Sequence, residues 1–140
     1  MTNAKSTAAP NSTETPAPAR KLLGYAIILD FVLVLVFAVS GRASHAESLS
    51  IGGVAWTAWP FLAALLLGWL VTRNWRSPIL LWPNGVCIWL ITLAGGMALR
   101  VLSGETAAIP FVIVATLVLG LFLLGHRIIT ALVIRSTTRR

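Results

Sequence analysis

Asp30 is an acidic residue surrounded by apolar ones, which makes it the first candidate for chemistry. It lies about eight residues into an apolar run that begins near Leu22, about 12 Å deep if that run is a membrane helix. A carboxylate at such a depth costs about 2.5–3.5 kcal/mol on insertion scales, so it must face protein or water rather than lipid. Two roles fit: a protonatable site on a proton or ion route, or a polar group bonded to a neighbouring helix. Thr92, at a similar depth in a later apolar run, is the expected partner. Arg42 is not, because about twelve residues of helix would separate it from Asp30 by about 18 Å.

Two other groups of polar residues stand where apolar runs end. Arg42, His45 and Glu47 follow the first, and Arg100 and Glu105 follow the third. In a compact bundle these groups meet at one mouth. Basic residues there attract an anion or a lipid headgroup. The plainer reading is interfacial snorkelling and local pairing. One His beside one Glu falls short of the three or four ligands of a zinc site, so no metal is expected. No phosphate loop, metal motif or nucleophile elbow occurs, so no cofactor and no enzymatic activity are expected.

The elements that must position these residues follow from composition. The chain has 140 residues, 57% hydrophobic and 11% charged, and its mean hydropathy is +0.87. Four apolar stretches, at about 22–40, 54–72, 84–101 and 108–126, each approach the roughly 20 residues that cross a bilayer as helix. The expected fold is all-α: a polytopic membrane protein with four transmembrane helices arranged as two tandem hairpins. Residues 1–21 read as a disordered tail, 22–134 as the transmembrane domain and 135–140 as a basic tail. The run Ile128–Ile134 could prolong the last helix, and His126-Arg127 reads as ordinary cations at its end.

The net charge of +7 does not point to nucleic acid, because the basic residues cluster at the ends of the spans. Lys5, Arg20, Lys21, Arg73, Arg76, Arg127, Arg135, Arg139 and Arg140 fall on one side, and only Arg42 and Arg100 on the other. Both termini are therefore expected in the cytoplasm. Trp56 and Trp59 at one end, and Trp75 and Trp82 at the other, suit interfacial belts, whereas Trp69 and Trp89 read as packing residues. Ala64, Gly68 and Thr72, then Thr92 and Gly96, then Thr116 and Gly120 supply small faces for helix association. Cys87, the sole cysteine, reads as an apolar filler. A weak internal repeat relates Gly41-Arg42 to Arg100, and Pro60-Phe61 to Pro110-Phe111.

The chain resembles a family of small actinobacterial membrane proteins, the domain of unknown function number 3054. The resemblance covers roughly residues 22–130. It rests on Asp30, the run Phe37 to His45, Ala58-Trp59-Pro60-Phe61, Gly96 to Arg100, Thr106-Ala107, Phe111 to Ala115, and Leu124-Gly125-His126-Arg127. Gly-Arg-x-Ser-His is its most specific element. The family's last element reads Gly-Trp-Arg, so His126 departs from it and no role is expected there. The resemblance implies a four-helix protein of a bacterial plasma membrane and lends weight to Asp30, Arg42, His45 and Arg100. It implies no activity.

Three functions remain open on this reading. One is a small oligomeric transport or permeation unit with Asp30 as its protonatable site. Another is a non-catalytic assembly or interaction subunit of a membrane complex. The third, more remote, is a lipid-acting enzyme using His45 as a base. Beyond the bilayer, the expected partners are further copies of the chain or other membrane subunits.

Overall fold

In lipid, backbone groups find no water, so apolar runs close their hydrogen bonds internally as helices. The computed structural model describes residues 17–140 and shows four such helices: α1 Ala17–Ser44, α2 Ile51–Thr72, α3 Val86–Leu102 and α4 Ile109–Thr138. All four are long and apolar enough to cross a membrane, with a short lead-in turn from Leu81 to Gly85 counted in the third span. No strand occurs among the described residues. Many large apolar side chains face outward, such as Leu70, Leu117 and Leu121. A surface of that kind belongs in lipid, so this is a multi-pass integral membrane protein.

Two helices exceed the expected bounds. The tail assigned to residues 1–21 is helical from Ala17, so Arg20 and Lys21 lie on α1; residues 1–16 fall outside the described residues. Pro18 does not block this start, because the first turn of a helix needs no partner for its N–H. The basic tail of 135–140 is likewise helical to Thr138. At 28 and 30 residues, α1 and α4 span about 42 and 45 Å, more than the roughly 30 Å of hydrocarbon.

The small residues set the packing. A methyl group at Gly96 would overlap the Phe61 ring, and one at Gly95 would stand 3.0 Å from the Ala64 Cβ. Gly68 lies against Ile88 and Ile91 in the same way. These close approaches make α2–α3 the tightest pair, in line with association through small faces. Gly120 on α4 receives the Trp89 indole, whose N–H donates to the Thr116 carbonyl at 3.1 Å. At the core, Phe61 meets Phe37 edge-on with ring centroids 5.1 Å apart, and Phe111 lies 6.3 Å from Phe61.

Candidate functional site

The turns after α1 and α3 are built alike. Arg42 and Arg100 each occupy the last turn of their helix. The residue four places on has positive φ in both turns, Ala46 at 54° and Gly104 at 85°. The next residue is glutamate, and its N–H returns to the arginine carbonyl at 3.1 Å in both. Each arginine then reaches forward: Arg42 Nε donates to the Ser48 carbonyl at 3.0 Å, and Arg100 Nε to the Thr106 carbonyl at 2.8 Å. Each also approaches its glutamate, Arg42 to Glu47 at 2.9 Å and Arg100 to Glu105 at 3.5 Å. The weak sequence repeat thus has a local counterpart in these two turns, which share Arg-x-x-x-x-Glu. Its proline half does not follow it. Pro60 is buried within α2, whereas Pro110 opens α4, although Phe61 and Phe111 converge on the same ring, Phe37.

The duplicated turns face one cavity of about 190 Å³, whose walls include Arg42, His45, Glu47, Thr57, Arg100 and Phe111. Thr57 accepts from Arg42 Nη1 at 3.1 Å, and the Phe111 ring lies under the Arg100 guanidinium, 4.5 Å from centroid to Cζ. These contacts hold both cations in place without consuming every donor. Arg42 Nη2, which lies against Gly53, and Arg100 Nη1 make no hydrogen bond among the described residues. Glu105, outside the cavity wall, is held instead by the Trp56 indole at 2.9 Å.

Asp30 occupies a second, closed site. Each carboxylate oxygen accepts from two donors. Oδ1 takes Arg127 Nη1 at 2.9 Å and His126 Nε2 at 2.5 Å. Oδ2 takes Arg127 Nη2 at 2.7 Å and the Trp69 indole at 2.9 Å. Asp30 and Arg127 are wholly buried. The 2.5 Å separation requires a proton between Oδ1 and Nε2, since two lone pairs would repel. The same Nε2 lies 2.9 Å from Arg127 Nη1, and His126 Nδ1 has no partner among the described residues. The Arg127 stem passes Gly85, where an added Cβ would stand 3.0 Å from Arg127 Cδ.

A family model described as a protein of unknown function, DUF3054, matches residues 27–130. The chain belongs to the DUF3054 family. The matched segment contains both the Asp30 cluster and the two-arginine mouth of this DUF3054 protein. Comparison with curated proteins and with solved structures finds no match.

Of the site residues expected from sequence, the DUF3054 fold brings Arg42, His45, Glu47 and Arg100 to one cavity and leaves Glu105 beside it. The expected pairing of Asp30 with Thr92 does not form. Thr92 is buried with its hydroxyl unpartnered among the described residues. Asp30 is already saturated by its four donors, and a carboxylate has about four acceptor sites. The partners missed from sequence are His126, Arg127 and Trp69. One signal could have found the cations: the apolar run resumes at Ile128, which places His126-Arg127 within a helix rather than at its end. Trp69 offered no such signal, because a buried indole donor and a packing indole look alike in sequence. No group of three or more His, Cys, Asp or Glu able to hold a metal occurs among the described residues.

Proposed function

We propose that this protein is a membrane-embedded binding protein that takes an anionic group at the mouth between its duplicated turns. The supporting observation is the convergence of Arg42 and Arg100, one from each turn, on a single cavity. Guanidinium groups fixed by backbone and aromatic contacts suit phosphate or carboxylate better than free surface cations do. No chemical step is part of this reading. By the distribution of basic residues, the mouth would open away from the cytoplasm of a bacterial plasma membrane, with both termini inside.

The reading predicts saturable binding of inorganic phosphate to the detergent-purified protein, seen as a rise in melting temperature. Arg42→Gln and Arg100→Gln should each weaken it about tenfold or more, the scale of one charge-assisted bond. A missing shift in the wild type, or a shift that survives the double variant, would refute it.

A second reading keeps Asp30 as the protonatable site of an oligomeric transport or permeation unit. It draws on the buried His126 beside Asp30, whose Nδ1 lacks a partner among the described residues. Any route would then run between copies, because Phe37, Phe61 and Phe111 fill the bundle beneath the mouth. Proton flux into proteoliposomes that disappears in Asp30→Asn would favour it.

A further inference from the structure

A ligand that fills only the mouth would be small. At about 190 Å³ the cavity lies below the roughly 300 Å³ at which whole small-molecule sites begin. The mouth does not stand alone, however. A groove of about 400 Å³ runs beside it between α1 and α4, and Phe37, Gly41, His45 and Phe111 line both spaces. The rest of the groove is mostly apolar, with Pro110, Val114 and Val118 along α4, and it descends about 12 Å from Pro110 to Val118. At the boundary between the two spaces, a Cβ on Gly41 would meet nothing within 4 Å. Val114 is 52% exposed, which puts this wall of the groove on the lipid-facing surface.

A polar pocket with two arginines, sharing part of its wall with an apolar groove along the helices, matches an amphiphile lying parallel to them. We infer that the site holds a glycerophospholipid of the surrounding bilayer, its phosphodiester between Arg42 and Arg100 and one acyl chain in the α1–α4 groove. This rests on the reading of the mouth as an anion site and names its ligand. A phosphodiester offers two equivalent anionic oxygens, and the mouth offers two arginines placed by the same turn. The bilayer supplies such a ligand at high local concentration, and its chain explains a groove that a free phosphate would leave unused. Arg42 Nη1 meets both Glu47 and Thr57, which fixes that arginine at the cavity wall.

The test is native mass spectrometry of the full chain in mild detergent with phosphatidylglycerol added, with inorganic phosphate binding measured in parallel. The wild type is expected to retain one lipid per chain. Arg100→Gln should reduce retention about tenfold and weaken phosphate binding with it. Val114→Trp fills the groove from a half-exposed position. It should lose the lipid while binding phosphate as the wild type does. Equal lipid retention in the wild type and Val114→Trp would overturn the inference, as would retention unaffected by Arg100→Gln. Phosphate binding with no lipid retained in the wild type would overturn the lipid and leave the anion site standing. Binding of neither would remove both.

Discussion

Replacing Arg127 with Leu is expected to destabilise the bundle by about 3–5 kcal/mol, the usual effect of stranding one member of a buried ion pair. The structure gives the reason. Arg127 supplies two of the four donors to Asp30, and both residues are wholly buried. Asp30→Asn should be nearly as costly. Whichever way the amide is turned, its NH₂ group meets an obligate donor, either Arg127 Nη1 or both Trp69 and Arg127 Nη2, and the arginine loses its counter-charge. The informative variant is the double replacement Asp30→Leu with Arg127→Leu. Removing both charges removes the desolvation that the pair must offset but leaves Trp69 and His126 without their acceptor, so the double variant should cost less than Arg127→Leu alone. Measured against both single Leu variants, the coupling between the two sites would then be at least about 2 kcal/mol. Reversible unfolding in mixed micelles, followed by tryptophan fluorescence, measures all of these. A cost below about 1 kcal/mol for Arg127→Leu, or additive effects in the double variant, would show that the cluster does not act as one buried unit.

Gly96→Ala should cost about 1–3 kcal/mol by the same assay, since its methyl overlaps the Phe61 ring. Gly24→Ala, where a Cβ meets nothing within 4 Å, should instead stabilise α1 by about 0.5–1 kcal/mol. In the duplicated turns, Gly104→Ala places a side chain at φ 85° and should cost about 1–2 kcal/mol. Ala46→Gly, relieving the same geometry in the first turn, should range from neutral to about 1 kcal/mol stabilising; a clear loss would argue against the equivalence of the turns. If binding rather than conduction is the role, wild type and Asp30→Asn should both show proton flux no greater than empty liposomes. Flux in the wild type alone would favour the transport reading.

The mouth was legible because its parts are local. Arg42 with Glu47, and Arg100 with Glu105, are five residues apart, and a single turn brings each pair together. The spacing Arg-x-x-x-x-Glu is common to both turns and stands in the sequence. The shared mouth was expected on the condition of a compact bundle, and the structure meets that condition by bringing the ends of α1 and α3 to one cavity. The Asp30 cluster was not legible. Its partners stand 39, 96 and 97 residues away, on two other helices.

By itself the sequence determined the four spans, their apolar outer faces and the depth of Asp30. Those properties follow from the hydrocarbon thickness and the helix rise, which act on each segment separately. The tertiary structure alone decided which side chains meet. A membrane helix presents several polar or aromatic residues at similar depth, and depth does not say which way each one faces. Thr92 and Arg127 were both within reach of Asp30. The rotation of α4 about its axis, set by Gly120 receiving Trp89 and by Gly85 admitting the Arg127 stem, gave Asp30 to the arginine.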